Sequence, residues 1–173
     1  MPYAPNQGVR LYYHVEGDGP PLVLLHGITS NSAHMWDEHG YIDALKLHYR
    51  LIVIDARGHG ASDKPHNRAA YTWPIPVQDV VTVLDHLAID QAHVMGYSYG
   101  GGVCYGLAKH SPSRVTSLLI GGMPAQTDSF APCQHVDGTD PEAFLAAFEA
   151  KLGGQLPPEA RPWMAQNDLQ AIA

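Results

Sequence analysis

Ser98 lies in the run His93-Val94-Met95-Gly96-Tyr97-Ser98-Tyr99-Gly100-Gly101-Gly102-Val103-Cys104, where a strand-forming segment meets a glycine-rich turn and then a helix-forming segment. A serine at such a turn stands clear of a sheet edge, where its hydroxyl can attack an electrophilic carbon. The spacing Gly96-x-Ser98-x-Gly100 has a steric reason. A strained strand-to-helix turn needs small residues on either side so that neighbouring backbones can approach. The plain alternative is a glycine-rich loop that merely ends a strand, so the assignment rests on what surrounds it.

The surroundings alternate between strand and helix. Val9 to Glu16 is rich in strand formers, ends at Gly17-Asp18-Gly19-Pro20-Pro21, and can pair with a short strand near Tyr3 through Asn6-Gln7-Gly8. Leu22-Val23-Leu24-Leu25 and Tyr49 to Asp55 are buried apolar runs, as are Ala92 to Tyr97 in large part and Val115 to Ile120. Runs of this kind are buried on both faces of a parallel sheet. Between them, Met35, Trp36, Ile42 and Leu45 predict one helix. Val77, Val80, Val81, Leu84 and Leu87 predict a second over Trp73 to Ile89, and Gly101 to Lys109 a third. The fold class is therefore α/β, a mostly parallel sheet flanked by helices. After Gly122 the pattern changes. A loop runs to Gly138, Asp140-Pro141-Glu142 caps a helix bearing Phe144, Leu145, Phe148 and Leu152, and Pro157-Pro158-Glu159 and Asn167-Asp168 start two more. Residues 1–122 read as a core and 123–173 as a partial helical cap or lid laid over it.

Composition excludes several classes. The net charge of −7, with no basic cluster, argues against nucleic acid as a partner. The eleven histidines and two cysteines fall in no metal-ligand spacing, so no metal is expected. The first strand's turn, His26-Gly27-Ile28-Thr29-Ser30-Asn31, offers one glycine where a phosphate-binding loop needs several, so no nucleotide or other cofactor is implied. No apolar run reaches the roughly 18 residues of a membrane span. The start Met1-Pro2-Tyr3-Ala4-Pro5 has no signal-peptide pattern, which makes the cytoplasm the expected location.

Three segments in order, Leu24-Leu25-His26-Gly27-Ile28, Asp55-Ala56-Arg57-Gly58-His59-Gly60-Ala61-Ser62 and Gly96-Tyr97-Ser98-Tyr99-Gly100-Gly101, make the chain resemble the capped, serine-nucleophile branch of the α/β-hydrolase superfamily over residues 9 to 122. The resemblance implies that Ser98 is the nucleophile and that the backbone amides of Ile28 and Tyr99 form the oxyanion hole. Gly27, Gly96 and Gly100 would be structural supports. His26 would orient the oxyanion turn by hydrogen bonding rather than act as the general base. Arg57 and His59 read as a polar network holding the adjacent loop, with a plain surface turn as the other reading of His59. The implied activity is acyl transfer to water from a small or medium, largely apolar ester-like substrate. Tyr97, Met123, Phe130, Phe144 and Phe148 are candidates for the apolar pocket wall.

The same resemblance calls for an acid and a histidine after further strands, and the chain reaches Ala173 without them. The core is thus expected to lack its last strands. Asp128 and His135 are the substitutes the sequence offers. Three explanations stay open. The chain is a truncated form of a longer hydrolase, an enzyme completed by a second chain, or a non-catalytic small-molecule-binding protein on the same scaffold. An unpaired Val115-to-Ile120 edge would offer a second copy a strand to pair with, giving a homo-oligomer.

Overall fold

Gln7 and Gly8 both take positive φ, 51° and 80°, which is the turn that a two-residue hairpin requires. They join β1 (Tyr3–Asn6) to β2 (Val9–Glu16). The structure, a computed structural model, describes residues 2–124 and 138–172. β3 (Pro21–Leu25), β4 (Arg50–Ile54), β5 (Ala92–Tyr97) and β6 (Val115–Gly121) complete a six-stranded sheet in the order β1-β2-β4-β3-β5-β6. β4, β3, β5 and β6 run parallel, and β1 and β2 are antiparallel to their neighbours.

The apolar runs are continuous because both faces of the sheet are covered. Val23, Leu25, Ile52, Ile54 and Val94 pack against α2 (Ile75–His86) and α3 (Tyr99–His110) through Val77, Val80, Val83, Leu84, Val103 and Leu107. Leu22, Leu24, Leu51 and Val53 point the other way, onto Trp36 and Ile42. The segment expected to form one helix there is broken. Ala33–Asp37 makes a wide π-type turn, Gly40 takes φ 74°, and α1 spans only Tyr41–Leu45. α3 begins at Tyr99, two residues before the expected Gly101, so helical geometry follows Ser98 at once.

Beyond the sheet, α4 (Pro141–Leu152), α5 (Ala160–Met164) and α6 (Leu169–Ile172) build a small core of their own from Phe144, Leu145, Met164 and Leu169. The Asp140 side chain accepts from the amides of Glu142 and Ala143 at 3.0 and 3.1 Å, as its sequence predicts, and Gly153 at φ 71° closes α4. No helix among the described residues is long and apolar enough to cross a membrane. Among the described residues β6 is the outermost strand on its side of the sheet, and Leu119 on it is 53% exposed.

Candidate active site

β5 runs into Ser98, whose φ of 51° and ψ of −114° lie outside the regions a side-chain-bearing residue normally adopts. Such a conformation persists only when its neighbours over-determine it, and here they do. The Ser98 amide donates to the Gly121 carbonyl on β6 at 2.8 Å, and the Ser98 carbonyl accepts from Gly102 at 3.1 Å in α3. A Cβ at Gly96 would run into the Gly100 carbonyl, and one at Gly100 into the Leu25 carbonyl on β3. The two glycines therefore let strand, helix and neighbouring strand meet backbone to backbone beneath a partly exposed Ser98. Gly27 is less constrained, because a Cβ there would meet the Ser98 Cβ at an ordinary 3.5 Å. Its value is positional, since it sets the His26–Ser30 turn directly beside Ser98. Cys104 is packed under Gly96, and burial pushes its thiol up to about 12. It stays protonated and unreactive at neutral pH.

The His26–Ser30 turn is fastened peptide by peptide. The His26 ring accepts the Ala56 amide on Nε2 at 3.0 Å, which puts its proton on Nδ1, and Nδ1–H donates to the Gly27 carbonyl at 2.8 Å. That carbonyl also accepts from the Ser30 amide at 3.2 Å. Gly27 C=O and Ile28 N–H belong to one trans peptide plane and point in opposite directions. Holding the carbonyl therefore aims the amide. Thr29, at φ 60°, donates its amide to His59 Nε2 at 3.2 Å, and His59 Nδ1–H donates to the Arg57 carbonyl at 3.0 Å. Both nitrogens of each ring are committed to backbone groups, so neither His26 nor His59 is free to serve as a base. Burial lowers His26 below the ordinary imidazole value. It brings His59 down to about 3, and the adjacent His26 ring adds to the shift. Both rings are neutral struts, and the surface-turn reading of His59 is corrected by its 3% exposure.

The loop after β4 hangs on two buried carboxylates. Asp55 accepts the amides of Ser32 and Ala61, each at 2.7 Å, and so ties the loop to the segment after the His26–Ser30 turn. Arg57 makes a bidentate pair with Asp79 of α2, Nε to Oδ2 at 2.9 Å and Nη2 to Oδ1 at 2.7 Å. Asn6 adds a bond to Asp79 at 2.6 Å, and Arg57 also donates to the Ala70 carbonyl at 3.0 Å. Sequence reasoning finds Arg57 and misses Asp79. The signal was an acidic residue set among Val77, Val80, Val83 and Leu84 on a helix whose apolar side it shares.

Ser98 thus sits between Tyr99 and the turn that carries Gly27 and Ile28, with Gly96 and Gly100 at the close backbone approaches and His26 bonded across the turn. Among the described residues, the Ile28 and Tyr99 amides donate to no protein acceptor, and no hydrogen bond joins the Ser98 hydroxyl to a histidine. Asp128, His135 and Phe130 lie outside the described residues. Among those described, no group of histidine, cysteine and carboxylate side chains could hold a metal. Phe144 is fully buried and stacks on Phe148 inside the small helical core. Tyr97 does border a groove of about 470 Å³, together with Met35, Trp36, Met95 and Leu119.

Comparison with known proteins agrees with this geometry. Residues 20–163 match the family model described as the alpha/beta hydrolase fold. The chain is 35% identical to a pimeloyl-[acyl-carrier protein] methyl ester esterase of Aeromonas hydrophila, over 80% of this chain and 50% of that one. A hydrolase from Pseudomonas aeruginosa superimposes with a TM-score of 0.76 at 30% identity, covering 99% of this chain and 69% of that one. Est816, described as an N-acyl homoserine lactone degrading enzyme, superimposes with a TM-score of 0.71 at 32% identity, covering 95% and 64%. The chain spans 32% to 61% of the length of curated relatives of this kind. Sheet order, elbow and sequence similarity converge on one conclusion: the chain belongs to the alpha/beta hydrolase fold family.

Proposed function

We propose that the protein is the nucleophile-bearing part of a serine hydrolase that transfers an acyl group to water, acting on a small or medium, largely apolar ester-like substrate. The observation that carries this reading is the elbow itself. Ser98 is held at φ 51° beside Gly27, with the Ile28 and Tyr99 amides unclaimed by the fold on either side. The Ser98 Oγ attacks the acyl carbon and its proton passes to a base. The carbonyl oxygen becomes an oxyanion held by the two amides, and the acyl–oxygen bond breaks to release the alcohol. Water then cleaves the acyl-serine and restores the hydroxyl. Two relatives support the substrate class, since one is named an ester esterase and the other a lactone degrading enzyme.

In this reading the base and its orienting carboxylate come from outside the described residues. Asp128 and His135 are the candidates within this chain, and residues 123–173 serve as a partial cap over the site. A fluorophosphonate tests the nucleophile directly. The expected result is covalent labelling confined to Ser98 by peptide mass and absent in Ser98→Ala. Labelling no faster than that of a free serine would sink the claim that this chain activates Ser98, and would leave either a longer enzyme whose base lies outside this chain or a binding protein on the same scaffold.

A second reading has its own observation, the half-exposed Leu119 on a strand that ends the sheet. We propose that a second copy pairs with β6, whose residues Val115 to Gly121 carry neither charge nor proline to deter it. Light scattering on the purified chain is expected to give a dimer mass that Leu119→Lys shifts to monomer. A monomer at all concentrations tested would end this reading.

A further inference from the structure

We propose that Asn167 is a positioning residue that reaches from the C-terminal helical segment to fix the aim of the Ile28 amide, a role resting on the reading of Ser98 as nucleophile. Its Nδ2 donates to the Thr29 carbonyl at 3.0 Å, across 138 positions of sequence, and also reaches the Met164 carbonyl at 3.1 Å at the end of α5. One side-chain amide thus terminates a helix and grips the turn beside Ser98.

The mechanical path is short. Thr29 C=O and Ser30 N–H form one peptide plane, and Ser30 N–H donates to Gly27 C=O, which shares the next plane with Ile28 N–H. Asn167 holds the first plane, the first plane holds the second, and the second carries the donor. Fastenings within the core account for the rest of the turn. His26 holds Gly27 C=O, the Thr29 hydroxyl donates to Ile28 C=O at 2.6 Å, and His59 accepts the Thr29 amide. Among the described residues, the Thr29 carbonyl is the one group of the three planes that a residue of the helical segment secures. Thr29 sits at φ 60°, a costly conformation for a β-branched residue, so releasing either of its bonds favours its relaxation toward ordinary backbone.

Other contacts keep the segment seated when Asn167 is changed. Trp163 stacks on His34 with ring centroids 4.2 Å apart, and Asp168 pairs with His66 at 3.0 Å. The test is amide hydrogen exchange by NMR on the 173-residue chain, read without any chemistry at Ser98, so its failure is distinct from a failure of labelling. In Asn167→Leu, which keeps the size and loses the donor, the Ser30 amide is expected to exchange about tenfold faster, the equivalent of one net hydrogen bond. The Ile28 amide proton should shift, while Leu24 and Leu145 stay unchanged. Unchanged Ser30 exchange and an unmoved Ile28 signal would overturn the proposal. If Asn167→Leu also breaks the Trp163–His34 ring contact, His34→Ala decides the cause, since it removes the stack and leaves Asn167 in place. Retained Ser30 protection there supports Asn167 as the clamp, and lost protection overturns it in favour of general docking.

Discussion

Asp79→Ala will lower the free energy of unfolding by about 3–5 kcal/mol, read as a fall in the urea midpoint, because it strands a buried charge. Arg57 and Asp79 are both almost wholly buried, and each satisfies the other through two hydrogen bonds. Removing the carboxylate leaves a guanidinium with only the Ala70 carbonyl, and leaves Asn6 without its acceptor. A loss of this size is a large part of the roughly 5–15 kcal/mol that holds a typical domain folded. The double variant Arg57→Met/Asp79→Leu removes both charges and should recover much of the loss, since a buried pair contributes little beyond what apolar packing would. A fall below about 1 kcal/mol in Asp79→Ala would show that water reaches the pair. The effect will extend to the site, because the Arg57 carbonyl accepts from His59, and His59 holds Thr29.

Acid will destabilise the protein from a higher pH than its carboxylates alone would cause. His59 is held at about 3 in the folded chain against 6.5 when unfolded, and His26 is displaced in the same direction. Above 6.5 both states are neutral and the full stability is present. As pH falls below 6.5 the unfolded chain takes up protons that the folded chain refuses, so stability declines until the folded ring titrates near 3. The slope is about 1.4 kcal/mol per pH unit for each such histidine. Between pH 6.5 and 5 the carboxylates remain ionised, and the decline there belongs to the imidazoles. His59→Gln should remove one proton's worth of that slope. An unchanged slope would mean that His59 is protonated in the folded protein.

Much of the core can be read from the sequence because its signals are local. The four parallel strands are largely continuous apolar runs, and Asp140-Pro141-Glu142 stands as a cap just before the apolar residues of its helix. The elbow is legible for the same reason, with its glycines and serine lying within five residues. The strand order is less so, since nothing in the runs says that β4 lies between β2 and β3. The break in the helix after β3 depends on a left-handed Gly40, which a pattern of apolar spacing passes over. Asp79 and Asn167 could not be placed, because each gains its meaning from a partner far along the chain. Asp79 shares the apolar side of its helix, but its partner Arg57 lies 22 positions away on a loop that only the folded sheet brings to it. Asn167 looked like a helix start, and its bond to Thr29 exists only once the helical segment is docked.

The bond from the Ser98 amide to the Gly121 carbonyl makes β6, the outermost strand among the described residues, a gauge for the height of Ser98. A slip of β6 by one residue would carry that carbonyl about 3.3 Å along the strand and reverse the faces of every side chain on it. Ser98 would then lose the acceptor that holds its amide at the bend. Whatever pairs with the outer side of β6 has to respect the alignment of Met95 with Leu119 and of Tyr97 with Gly121, because the register of this peripheral strand and the placement of the serine are one geometric setting.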